Sequence, residues 1–145
     1  MNKVSEYSHL IVSQLGRLSR YNSQWLTKRL RQTDTSLQEF RIAGLLVGEA
    51  GINQKELAEK LSVKPATLSV AIAKLEKKGS IRRRASVQDK RVNYLELVES
   101  VDFKKNAQLV FELESKLTQG IAADDLRVAK IVFQKMIDNL DNESV

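Results

Sequence analysis

Residues 52–97 read INQKELAEKLSVKPATLSVAIAKLEKKGSIRRRASVQDKRVNYLEL, and the order of signals along them decides the fold. Asn53 stands where a helix can begin, and Glu56 follows three residues later, the reciprocal pairing of a capping box. The helix so opened runs through Leu57 and Ala58 to about Leu61. A tight connection, LSVK, leads to Pro65, whose missing N–H costs nothing in a first helical turn. The next helix, over 65–78, puts Leu68, Ile72 and Leu75 on one stripe. It ends at Gly79 after Lys77 and Lys78, which suit the geometry and the negative end of a helix C-terminus. Two strand-like runs follow, about 80–84 and 91–97, joined by the polar turn ASVQD. In the second, Leu95 and Leu97 share one face while Tyr94 and Glu96 point the other way.

Helix, tight turn, helix and hairpin is the order of a winged helix-turn-helix. The two helices are expected to pack through Leu57, Ala58, Leu61, Val63, Leu68 and Ile72, with Ala58 small where they must approach closely. The second helix then has its other face free for a major groove about as wide as a helix. That face carries Lys64, Ala66, Thr67, Ser69, Val70 and Lys74. Thr67 and Ser69 suit base edges or phosphates, Lys64 and Lys74 suit phosphates, and Ala66 and Val70 suit a thymine methyl. Little here is bidentate, so shape readout is expected to matter.

Charge supports the same assignment. Residues 53–93 hold eleven Lys/Arg against four Asp/Glu, within a chain of formal net charge +6. The basic excess sits mid-chain, where a polyanion would meet it, although a merely solvated basic surface is the plainer alternative. Arg82, Arg83, Arg84, Lys90 and Arg91 crowd the hairpin.

Outside this stretch, Ser36 and Glu39 form a second capping-box pattern before a helix whose apolar face is Phe40, Ala43, Leu46 and Val47. Upstream, a helix over 6–30 places Tyr7, Leu10, Ile11, Gln14, Leu18, Tyr21 and Trp25 at helical spacing, with Leu15 beside them. Downstream, Ser100 caps a helix from Val101 that carries Phe103, Val110, Leu113 and Leu117. A last helix bears Leu126, Ile131, Val132 and Met136, and Asp124 and Asp125 open it where the dipole favours them. The fold class is mostly α with a small β-hairpin wing.

This organisation resembles the MarR family of transcriptional regulators. The ELAEKL helix, the KLEKKG helix end and the DKR of the hairpin stand where that family has its helix-turn-helix and its wing Asp-x-Arg motif, here Asp89-x-Arg91. The likeness is continuous over roughly 36–98. It implies a homodimer, with residues 1–35 an N-terminal dimerisation helix, 36–99 the DNA-binding domain and 100–145 the C-terminal dimerisation helices. It also implies double-stranded DNA as partner and repression relieved by a small aromatic or phenolic effector. Arg91 would border the minor groove, where negative potential is focused, with Lys90 beside it. Asp89 would orient the wing by pairing with Arg82, Arg83 or Arg84; an ordinary turn acid is the bland alternative. Two positions depart from the family's habit: Val70 stands where many members have arginine or another long polar residue, and Val98 where threonine is common.

Other classes find little support. There is no cysteine, which excludes a thiol switch and makes a cytoplasmic location the simplest expectation. No run of eighteen apolar residues suggests a membrane span, and the first twenty residues lack the pattern of a signal peptide. His9 is the only histidine, and Gly44, Gly48 and Gly51 follow no phosphate-loop spacing. Asp124 and Asp125 diverge by about 100° on a helix and form no dyad. No catalytic, metal or cofactor site is expected. Tyr21 and Trp25 suit subunit packing better than a ligand pocket. A winged-helix protein-interaction module that binds no DNA is the second reading, since fold alone does not settle function.

Overall fold

The structure, a computed structural model, describes residues 3–49 and 51–143. Its helices are α1 (Lys3–Glu6), α2 (Ile11–Leu30), α3 (Leu37–Gly48), α4 (Gln54–Leu61), α5 (Pro65–Lys77), α6 (Val101–Thr118) and α7 (Ala123–Asp141). Its strands are β1 (Ile81–Ala85) and β2 (Asn93–Leu97), and Tyr7–His9 form a 3-10 turn. The chain divides into two compact units, one ending at Leu109 and the next beginning at Val110.

The core of the first unit is Ile42, Leu46, Ile52, Leu57, Ala58, Leu68, Ile72, Leu75, Ile81 and Leu95, with Leu61 and Val63 packed at its edge. All six residues expected to join α4 to α5 are there. Full burial of such a side chain is worth about 1.5–3 kcal/mol, so this cluster holds the helix-turn-helix as a rigid body. Both capping boxes close. The Ser36 Oγ accepts the Glu39 N–H at 3.1 Å and Glu39 Oε2 accepts the Ser36 N–H at 2.6 Å. The Asn53 Oδ1 accepts the Glu56 N–H at 2.8 Å, and Glu56 Oε2 accepts the Asn53 N–H at 3.2 Å. The α4–α5 turn passes through Ser62 in the left-handed region (φ 52°), and the Val63 N–H returns to the Ala58 carbonyl at 3.1 Å. At the end of α5 Gly79 has φ 73°, which lets the Ser80 N–H reach the Leu75 carbonyl at 2.9 Å.

β1 and β2 pair antiparallel in the register Ile81↔Leu97, Arg82↔Glu96, Arg83↔Leu95, Arg84↔Tyr94 and Ala85↔Asn93. A third segment joins them. Asn53 bridges to Tyr94, and the Leu95 N–H donates to the Ile52 carbonyl at 3.0 Å. One apolar residue, Ile52, is too short a signal to announce a strand; its burial follows from the pairing.

Two expectations need correction. The single helix over 6–30 breaks at Leu10, whose backbone is extended (φ −66°, ψ 145°); α2 starts after it, and the Gln14 N–H takes up the Leu10 carbonyl at 3.1 Å. The buried line of α3 is Glu39, Ile42 and Leu46, while Phe40 is half-buried and Val47 is 66% exposed. Val47 lies about 100° around the helix from Leu46, which turns it off the core. α2 packs on α3 and buries Leu26 and Leu30, and Arg41 of α3 donates to the Ser23 Oγ at 2.9 Å.

The second unit contains the end of α6, the turn at Gly120 (φ 76°) and α7. α7 buries no residue of its own: Val128, Ile131, Val132, Phe133, Ile137 and Leu140 are all exposed. In the first unit, Leu10, Ile11, Leu15, Leu18 and Tyr21 are likewise exposed.

Candidate nucleic-acid interface

The α5 face opposite Leu68, Ile72 and Leu75 points outward. Lys64, Ala66, Thr67, Ser69 and Val70 are all exposed, as the 3.6-residue period requires once the stripe is buried. Ala73 and Lys77 continue the exposed line of Ala66 and Val70, and the same periodicity would have found them. Lys74 leans away from that line toward α3, with its Nζ 3.8 Å from Glu39 Oε2.

Strand alternation sorts the wing arginines. Arg82 stands directly across from Glu96 and donates to its Oε2 at 2.9 Å, while Arg84 donates to Oε1 at 3.1 Å. Hydrogen bonds from Arg82 and then Arg84 hold the Glu96 carboxyl below its ordinary range. Arg83 shares the inward parity of Ile81 and turns toward the helices. Its Nε donates to Glu76 Oε1 at 2.9 Å and its Nη1 to Gln54 Oε1 at 3.0 Å. The Gln54 Nε2 in turn donates to the Ser69 Oγ at 2.9 Å.

Asp89 does not pair with an arginine. Its Oδ1 accepts the Arg91 backbone N–H at 3.0 Å, and the Ser86 Oγ accepts the N–H groups of Gln88 at 3.2 Å and Asp89 at 3.3 Å. The Ser86 N–H reaches the Val92 carbonyl at 2.9 Å and the Val92 N–H the Asp89 carbonyl at 3.0 Å. Asp89 is thus the turn acid that shapes the wing tip, because Arg82, Arg83 and Arg84 already have carboxylates on their own sides of the sheet. Among the described residues, Lys64, Lys90 and Arg91 are exposed cations with no carboxylate within 4.0 Å. Val87, beside them at the tip, is 95% exposed.

Behind α5, Lys78 ties the helix end to the start of α3. Its Nζ lies 3.0 Å from Oε1 of Glu39, which is 1% exposed, and 3.5 Å from Asp34 Oδ2; it also donates to the Asp34 carbonyl. Burial pushes the Glu39 carboxyl up, but the Ser36 N–H and the Lys78 ammonium outweigh it, and the net shift is downward. For Lys78, burial pulls down while Glu39 and Asp34 raise, and the net shift is upward. Lys78 read only as a helix-end charge in the sequence; its tertiary partner left no local signal.

No group of His, Cys, Asp or Glu arranged to hold a metal exists among the described residues, and no described helix is long and apolar enough to cross a membrane. An outward helix face, a helix packed across its back and a basic two-stranded hairpin at its side define a winged helix-turn-helix protein. Residues 36–92 of this chain match the MarR family.

Solved structures extend the fold over most of the chain. Wild-type MarR of E. coli in its apo form is 22% identical with a TM-score of 0.70, the match covering 88% of this chain and 96% of that one. The S. aureus MepR–DNA complex is 21% identical with a TM-score of 0.67, covering 90% and 98%. Streptococcus pneumoniae FabT in complex with DNA is 20% identical with a TM-score of 0.69, covering 91% and 96%. No curated protein matches the chain in sequence.

Proposed function

We propose that this protein is a sequence-specific, DNA-binding transcriptional regulator that works as a cytoplasmic homodimer. The observation that carries the reading is the exposed α5 face flanked by the unpaired cations Lys64, Lys90 and Arg91. α5 enters a major groove, and the wing tip with Arg91 and Lys90 lies at the adjacent minor groove. Arg82 and Arg84 supply a second, partly neutralised tier of positive charge, and Arg83, Lys74 and Asp89 hold the reading elements in place. MepR and FabT were solved on DNA in the same fold, which supports carrying the partner over.

Residues 1–35 and 100–145 act as dimerisation segments around the DNA-binding domain 36–99. Support comes from the uncovered apolar lines on α2 and α7, which in water favour a second copy. Two copies place two α5 helices about one helical turn of DNA apart, so a small change in their spacing weakens both contacts together.

In this reading the protein is a repressor relieved by a small aromatic ligand. A groove of about 480 Å³, lined by Leu46, Val47, Leu95, Leu97 and Phe103, is apolar enough for one. Glu96 and Glu99 also line it, but Glu96 is already paired with Arg82 and Arg84 and Glu99 with Lys104, so they set no charge preference for the ligand.

The test is fluorescence anisotropy on random-sequence duplexes at low and moderate salt, followed by selection of bound genomic fragments. Binding at low salt that weakens steeply with added salt, and a selected site with two related halves, is expected. No binding at either salt would replace this reading with a winged-helix module for a protein partner.

A further inference from the structure

The polar chain that runs from the wing to α5 has a direction. Arg83 can only donate, so the Gln54 oxygen must face it, and the donors from Nη1 and Nε end on Gln54 Oε1 and Glu76 Oε1. With its oxygen so fixed, Gln54 can offer Ser69 only its NH2 group, and the Nε2–Oγ contact is 2.9 Å. The Ser69 hydroxyl is therefore an acceptor in this bond. Its single proton is left to point elsewhere, and among the described residues it has no acceptor. Ser69 lies on the exposed side of α5, two turns before Glu76 on the same side, so the chain Glu76–Arg83–Gln54–Ser69 runs alongside the helix.

We infer that Gln54 and Arg83 set Ser69 as a hydrogen-bond donor toward the duplex. An inference of this kind rests on the DNA-binding reading above. A donor at this position matches an acceptor: N7 or O6 of guanine, N7 of adenine, O4 of thymine, or a phosphate oxygen. It mismatches the N4 amino group of cytosine. Gln54 is then a positioning residue that acts through Ser69. It sits at the first position of α4, and nothing in the spacing of residues 52–78 marks it as different from any other polar N-terminal residue.

The direction can be reversed. In Gln54→Glu the new carboxylate still accepts from Arg83 but can only accept from Ser69. The Ser69 proton turns inward, and its lone pairs face the duplex. The experiment selects bound fragments with the full-length parent, Gln54→Glu, Ser69→Ala and the double variant, and measures their affinities on the selected site. A parent that selects nothing overturns the DNA reading itself.

With parent binding established, a shift in Gln54→Glu at one position per half-site from guanine or thymine toward cytosine or adenine, lost in Ser69→Ala, establishes a base contact. A fall of about fivefold per copy, or about 25-fold for the dimer, in Ser69→Ala on every sequence, with no further fall when Ser69→Ala is added to Gln54→Glu, establishes a phosphate contact. Unchanged affinity and unchanged base preference in Ser69→Ala, or equal Ser69→Ala effects in both Gln54 backgrounds, overturn the inference while leaving DNA binding intact.

Discussion

Glu96 restrains the positive charge of the wing, and removing its charge should strengthen DNA binding in a salt-dependent way. The carboxylate takes hydrogen bonds from Arg82 at 2.9 Å and Arg84 at 3.1 Å, so the three groups together present one net positive charge rather than two. Glu96→Gln frees one charge per protomer and two per dimer. Each cation that neutralises a phosphate adds about 0.9 to the slope of log K against log salt. The variant's slope should therefore steepen by up to about 1.8, and its advantage at about 50 mM salt should shrink about tenfold by about 200 mM. The arginine side chains are 70% and 68% exposed, so losing the pairs should leave thermal unfolding almost unchanged. Anisotropy titrations of a random-sequence duplex across a salt series measure the slope directly. A slope equal to or shallower than the parent's, with the fold intact, would show that Arg82 and Arg84 do not face the duplex.

Arg91→Ala removes an unpaired cation and should weaken binding on all sequences, lowering the salt slope by about 1.8 for two copies; parent-like binding throughout a salt series refutes the wing assignment. Asp89→Asn keeps the oxygen that accepts the Arg91 N–H, so duplex affinity should not fall, whereas a large fall in the same titration would point to an ion pair instead. Glu39→Gln leaves Lys78 without its buried partner and should cost about 2–3 kcal/mol in urea unfolding, since breaking a buried pair strands a charge and Asp34 only partly replaces it. The folded Glu39 pKa lies below its ordinary 4.5, so its contribution is full above about pH 4.5 and is lost as pH falls through the depressed value. The folded Lys78 pKa lies above 10.5, so its contribution is full below that pH and is lost as pH rises through the raised value. The stability gap between parent and Glu39→Gln should thus stay flat between those limits and narrow on acidification; a gap that widens in acid contradicts the ion-pair account.

Caps and the α5 stripe were legible because they are local. Ser36 with Glu39, Asn53 with Glu56, and Pro65 and Gly79 at the two ends of α5 each act within a turn of helix, and the structure places them as their chemistry requires. The core followed from Leu68, Ile72 and Leu75, whose spacing also exposed the reading face. Partner choice among charges was not legible. Whether Arg82 meets Asp89 or Glu96 depends on which residues the hairpin register sets opposite each other, and no run of residues states the register. Glu39 and Lys78 lie 39 residues apart and meet only because α3 and α5 pack. The extended Leu10 was hidden because the apolar period continues across the break in the helix.

Sedimentation of the protein with a selected duplex tests the central claim most directly. The account predicts a complex with the mass of two chains and one duplex, with free protein sedimenting as a pair. One chain per duplex, or no complex at low salt, would contradict it.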